Sequence, residues 1–456
     1  MVFSSIEFLL GFLPVFLFLY YITPNTYKNI TLFGGSLIFY AYGEPIFVLL
    51  LLASMLVNYF FGRLLSPDAQ RKETVRKACF ICMMVLNVGM LTAFKIAPEE
   101  IGLPLGISFY TYQIMSYLID VYRGRIPGET SFIKLGTYIC MFPQLVAGPI
   151  VNYSQVSEQI KEPDVCLKNV DKGLKTFTWG LFFKVLMADR LALLWHEIST
   201  IGYVSIAAPL AWMGAISYSM QIYFDFYGYS LMAIGLANML GFYLPANFDL
   251  PYAAGSIREF YRRWHMTLGK WFTDYVYIPL GGNRKGLKRT AFNLFVVWIL
   301  TSLWHGASFN FLIWGMVICF FIVAEKLLSS YREKKGKQEG KGAIVSVVRH
   351  IYVCFVIMLT WVCFAITDLK ELGIYLGRMF GVIKGVSTSM DVFYDKLTRY
   401  GLLMAVGVFL CTPAAKKLYE KGKDTIPGML VLTVLFWLSI WYILTMGNNP
   451  FMYFRF

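Results

Sequence analysis

Of 456 residues, 57% are apolar, 18% aromatic and only 15% charged, whereas soluble domains run at roughly half apolar and a quarter charged. That composition excludes an ordinary soluble domain and points to a membrane. The net charge of +14 is spread between apolar runs, not gathered in a groove or tail, so basic loops at a membrane surface explain it better than nucleic acid does.

A helix spans the hydrocarbon core with about 20 apolar residues, and runs near that length recur along the chain. They are predicted at about 6–22, 30–42, 46–65, 79–95, 105–122, 135–151, 174–195, 207–226, 228–244, 290–304, 306–325, 350–367, 398–412 and 427–446. The pattern implies an all-α, polytopic transmembrane helical bundle of about 11–14 membrane segments, the shorter ones re-entrant. The first run has neither a basic region before it nor a small-residue cleavage site after it, so it reads as a retained helix. Cys79 and Cys82 lie inside an apolar run with no second pair at zinc-ligand spacing, which argues against a metal site or a disulfide framework. The run at 135–151 ends in MFPQLVAGPIV, where Pro143, Gly148 and Pro149 predict a broken segment.

Loop charge sets the orientation. Arg63, Arg71, Lys72, Arg76 and Lys77 follow the third run; Lys326, Arg332, Lys334, Lys335, Lys337, Lys341 and Arg349 fill 326–349; Lys416, Lys417, Lys421 and Lys423 fill 413–426. All three loops are expected on the cytoplasmic side, and the loop carrying Glu99 and Glu100 on the outer side, as is 196–206. The run SYREKKGKQEGKGA at 330–343 reads as a flexible loop.

One stretch is aromatic and basic but too charged to span: NFDLPYAAGSIREFYRRWHMTLGKWFTDYVYIPLGGNRKGLKR, from 246 to 289. Ile257, Phe260, Tyr261, Trp264, Leu268, Trp271 and Phe272 recur at helical spacing, and Ser256 with Glu259 forms a capping-box pattern. A single amphipathic helix from Ser256 to about Asp274 is predicted at the cytoplasmic interface. Its Arg262, Arg263 and Lys270, with Arg284 and Lys285, would make a cationic mouth for a phosphate-bearing donor; the same charges would also suit anionic lipid.

Four histidines are present, and His196 and His350 sit at run ends as ordinary interfacial residues. His305 lies in ILTSLWHGASFNFLIWG, between two apolar runs whose outer ends are both basic. The runs therefore form a hairpin entering from the cytoplasm, with Trp304, His305 and Gly306 at its buried turn. An ionisable group at that depth is costly unless it faces a cavity, though a histidine bonding between helices fits the position too. Gly306 and Ala307 would leave room beside it for substrate. His265 is either a donor-side residue or a plain interfacial one. Asp225, in QIYFDFYGYS, needs a buried partner, either an arginine or a histidine that it would orient. Taken alone, many runs with ionisable groups among them fit a transporter or flippase of envelope precursors, or a scaffold, as well as an enzyme; the absence of an inverted repeat favours the enzyme.

Five blocks go further: PLGISFYTYQIMSYLIDVYRG at 104–124, FPQLVAGPIV at 142–151, FDFYGYSLMAIGLANMLGFYLPANFDLPY at 224–252, IREFYRRWHMTLGKWFTDYVYIPLGGNR at 257–284 and SLWHGASFNFLIWG at 302–315. Their order and spacing resemble the membrane-bound O-acyltransferases, most closely the branch of bacterial alginate O-acetylation proteins, with the D-alanyl transfer protein of teichoic-acid modification a near cousin. The ending NNPFMYFRF is similar to that branch as well. Leu231 departs from it, standing where the resemblance leads one to expect an acidic residue. The resemblance implies one acyltransferase domain over 1–456, its motif core at 104–315, built around a central tunnel. His305 would be the catalytic base at the narrow point and His265 a second site histidine nearer the cytoplasmic mouth. Arg262, Arg263, Trp304, Asp225 and Asn310 would contact substrates. No tightly bound cofactor and no metal is implied. The donor would be an acyl thioester on the cytoplasmic side, acetyl-coenzyme A or a carrier-protein phosphopantetheine. The acceptor would be an extracytoplasmic polysaccharide hydroxyl or an extracellular esterase-like partner, placing the protein in the cytoplasmic membrane. D-alanyl transfer to teichoic acid from a carrier protein is the alternative within the same chemistry.

Overall fold

The computed structural model describes residues 1–98, 100–146, 148–336, 342–383 and 388–446, and among them it is helical with no strand. Glu99, Lys337, Lys341 and the ending from 448 onward lie outside the described residues. The helices gather into two compact units, neither continuous in sequence.

Among the described residues, five helices are long and apolar enough to cross a membrane: Phe47–Leu65, Glu73–Ile96, Phe309–Lys334, Ala343–Ala365 and Ile426–Met446. Met390–Leu410 with Pro413–Gly422, bent by 79°, would make a sixth. The chain is thus a multi-pass helical membrane protein, with fewer full-length apolar helices among the described residues than the 11–14 segments expected. The shortfall has a physical cause. Runs such as Ile107–Tyr122 form 16-residue helices with all but two residues buried, so protein rather than lipid covers them.

In the unit that holds Met1–Leu181, Gly228–Ala246 and a C-terminal piece from Leu435, helices approach closely through glycines. A Cβ on Gly180 would come 2.6 Å from the Gly228 carbonyl oxygen, and one on Gly173 would come 2.6 Å from that of Gly235. Such contacts drive association where lipid supplies no hydrophobic force. The predicted break is present: Phe132–Cys140 is followed by the short turn Phe142–Leu145, and the backbone of 148–152 is non-helical. Protein buries it, and the Tyr138 hydroxyl donates to the Val151 carbonyl at 2.8 Å. Backbone freed from a helix at this depth needs such partners.

The unit that holds Phe182–Tyr227 and Asn247–Val434 contains the hairpin of Gly286–His305 and Phe309–Lys334. Its open end carries Arg284, Lys285, Arg289, Lys326, Arg332 and Lys334, and residues 330–334, expected in a loop, continue the helix. Ala365 ends a third helix, Ala343–Ala365, that packs on Phe309–Lys334.

Candidate active site

Gly286–His305 has 20 residues and rises roughly 30 Å, so His305, its last residue, stands a bilayer core's thickness from the basic end. On this helix Thr290, Leu294, Val297, Trp298, Thr301 and His305 form a single stripe, spaced 4, 3, 1, 3 and 4 apart, facing a cavity of about 480 Å³. Trp314, Ile322 and Lys326 face it from the second arm of the hairpin. Fifteen residues of helix separate Thr290 from His305, so the cavity runs roughly 22 Å along the bundle. Its other wall is the basic aromatic segment, with Arg258, Tyr261, Arg262, His265, Leu268, Lys270 and Tyr277.

That segment is not the one helix expected. It forms Ile257–Arg263 and Met266–Phe272, broken at His265, whose backbone is left-handed at φ 44° and ψ 53°. A non-glycine residue there costs about 1–2 kcal/mol and needs surroundings that hold it. The segment 247–249 threads into the break. Asp249 N–H donates to the Arg263 carbonyl at 3.0 Å, and Met266 N–H donates to the Asn247 carbonyl at 2.9 Å, which satisfies one helix's end and the next helix's start. Periodicity cannot reveal such a break because the partner lies about twenty residues upstream. The start of Ile257–Arg263 is capped as predicted by Ser256, which accepts from Glu259 N–H at 3.0 Å. Glu325 adds a cap that the sequence did not suggest, accepting from Ile257 N–H at 2.7 Å and Arg258 N–H at 3.1 Å.

The two histidines share this cavity, and both are buried, each 4% exposed. Trp304 links them, its ring 5.7 Å from His265 and 4.7 Å from His305. The His305 ring is also 5.0 Å from Trp314 and 5.1 Å from Phe364. Its surroundings are therefore dense. A Cβ on Gly306 would come 2.7 Å from the Phe311 ring, so the glycine is what admits Phe311 beside the histidine. Burial lowers the His265 pKa below the ordinary histidine value and keeps the ring neutral.

Of the expected substrate contacts, Arg262 lines the cavity with Lys270, joined by Arg258 and Lys326. Arg263, Asp225, Asn310 and Trp304 are not among its lining residues. Arg263 pairs with Glu259 at 2.6 Å, one turn away on its own helix. Burial works against ionised Glu259, but the Gly255 N–H and Arg263 bonded to it hold its pKa below the usual range. Asp225 is buried against Lys184 at 2.7 Å, and Lys184 also bonds Asp189 at 2.6 Å, so a lysine meets the carboxylate where the sequence suggested an arginine or a histidine. Asn310 is fully buried and donates to the Cys363 and Phe364 carbonyls at 3.3 and 3.0 Å. It ties the hairpin to the end of Ala343–Ala365. Arg284 and Lys285 are exposed beside Asn283, which does line the mouth. His196 and His350 are exposed, as expected.

The arrangement places an imidazole at the far end of the hairpin helix and four cations among the cavity's lining residues, which suits a long ligand with an anionic end and a reactive tip. Residues 123–366 match the family model described as MBOAT, membrane-bound O-acyltransferase family. The chain is 36% identical over 384 residues to the protein of Pseudomonas fluorescens named "Probable alginate O-acetylase AlgI", covering 83% of this chain and 76% of that one. It is 29% identical to the peptidoglycan O-acetyltransferase of Helicobacter pylori, across 100% of this chain and 98% of that one. It is 24% identical to the teichoic acid D-alanyltransferase of Bacillus subtilis, over 50% of this chain and 60% of that one.

Proposed function

The chain belongs to the membrane-bound O-acyltransferase family and is an O-acyltransferase; from that premise we propose that it carries acetyl from a cytoplasmic thioester to a polysaccharide hydroxyl beyond the cytoplasmic membrane. The acetyl reaches the polysaccharide directly or through an extracytoplasmic esterase-like partner. The observation that carries this reading is the shared cavity, with His265 and His305 in its walls together with Arg258, Arg262, Lys270 and Lys326. Its elongated shape suits a pantetheine arm, whose phosphate would sit among the cations. The acceptor hydroxyl would come from the other side, completing a tunnel whose narrow point is His305.

His305 removes the hydroxyl proton as the oxygen attacks the thioester carbonyl carbon. The tetrahedral oxyanion collapses, the carbon–sulfur bond breaks, and the thiolate takes the proton back from the imidazolium. Aromatic walls keep water from the thioester, so hydrolysis does not compete. Acetylation is favoured over D-alanylation because similarity to the O-acetyl-transferring relatives covers far more of the chain.

Acyl groups on envelope polysaccharide from cells with and without the protein test this. Loss of O-acetyl esters is expected. Loss of D-alanyl esters instead would change the donor, and an unchanged pattern would overturn the reading. In purified protein, Arg262→Gln is expected to raise the KM for acetyl-coenzyme A about tenfold, the worth of one charge-assisted bond. Arg263→Gln should leave that KM alone, since Arg263 is tied to Glu259. An unchanged KM in both variants would make the basic face a lipid anchor only.

A further inference from the structure

We infer that Asn247 is a positioning residue that fixes the tautomer of His265, leaving the proton on Nδ1 and presenting the Nε2 lone pair to the reaction. The inference rests on the reading of His265 as part of the acyl-transfer site. The Asn247 side-chain oxygen lies 3.0 Å from His265 Nδ1 and 2.9 Å from the Thr267 hydroxyl, and it faces the Thr267 N–H at 3.4 Å. A backbone N–H can only donate, so the atom facing it is the carboxamide oxygen and not its nitrogen. That oxygen can only accept, so His265 Nδ1 must carry the hydrogen. The second ring nitrogen is then an acceptor, able to hold a hydroxyl or thiol proton on a cavity-lining ring.

The surrounding backbone makes the arrangement rigid. Asn247 uses its carbonyl to receive Met266 N–H, so the same residue supports the left-handed turn at His265 and orders its ring. Asn247 is itself buried, and the Phe226 ring stands 4.7 Å from the imidazole in edge contact, limiting rotation of the ring. Asp249, two residues on, is anchored by a 2.8 Å bond from Lys416, which holds its carboxyl below the usual carboxylate range. A free imidazole in water favours hydrogen on the other nitrogen, so the site imposes the less common form.

Four histidines make the test direct. The full-length protein, labelled with nitrogen-15 histidine and held in lipid nanodiscs, is expected to show a resonance, assigned by its loss in His265→Gln, with Nδ1 protonated and Nε2 bare. The opposite tautomer in the parent would overturn the inference. Asn247→Ala should release the ring to a mixture and lower kcat on the order of a hundredfold, with the donor KM within about twofold. Asn247→Asp keeps the acceptor oxygen, so it should fold and retain the Nδ1 proton. Its added charge should raise the imidazole pKa and move the acid limb of the rate profile to higher pH. An unmoved limb in Asn247→Asp, together with a parental tautomer in Asn247→Ala, would reduce Asn247 to a backbone support. Full activity in His265→Gln would instead sink the catalytic reading of His265, and would do so whatever its tautomer.

Discussion

His305→Gln is expected to abolish measurable acyl transfer while the protein still inserts and folds. General-base assistance is worth roughly a hundred to ten thousand fold, about 3–5 kcal/mol of barrier, and an uncharged amide cannot take the hydroxyl proton. Glutamine is the better probe than alanine. The His305 ring is held among Trp304, Trp314 and Phe364, so His305→Ala opens a gap in a packed aromatic cluster and should lower thermal stability as well as rate. Initial rates normalised to folded protein, from acetyl-coenzyme A and an oligosaccharide acceptor, separate the two effects. The exposed His196 serves as control, and His196→Ala should keep parental rates. A His305→Gln protein acetylating at near-parent rates would demote His305 to a structural residue and end the mechanism above.

Lys184→Met should have the largest effect on stability. Lys184 and Asp225 are buried, their side chains 2% and 4% exposed, and Lys184 bonds both Asp225 and Asp189. Removing the shared cation leaves two buried carboxylates facing each other, and breaking a buried pair of this kind costs about 3–5 kcal/mol. The yield of monodisperse protein in detergent and its unfolding temperature should both collapse. Acidification, which neutralises the carboxylates, should recover part of the loss. Replacing all three residues with apolar groups of similar volume should be far milder than the single change, because no uncompensated charge then remains. If Lys184→Met were as stable as the parent at neutral pH, the triad would not hold the unit together.

The adjacent arginines show how far local reading extends. Arg262 and Arg263 looked equivalent as phosphate ligands, but neighbours on a helix point about 100° apart, so only one can face the cavity. The other is four residues from Glu259, a spacing already visible in the chain. The stripe from Thr290 to His305 has the period of one helix face, but the cavity it lines is what singles it out. Arg258 and Lys326 were hidden as cavity residues because nothing local says which elements face each other.

The sequence by itself determined the membrane class, the hairpin with a buried His305 near its turn, the broken segment near Pro143 and the basic aromatic character of 246–289. These follow from apolar run length, breakers and loop charge, which act within a few turns of chain. Five motif blocks carried the family. Tertiary structure alone decided that His265 sits in a left-handed break held by Asn247, that Asp225 answers to Lys184 some forty residues away, and that Asn310 ties helices together. Each is a bond between residues distant in sequence, and a buried polar group takes whatever partner helix packing brings within 3 Å or so.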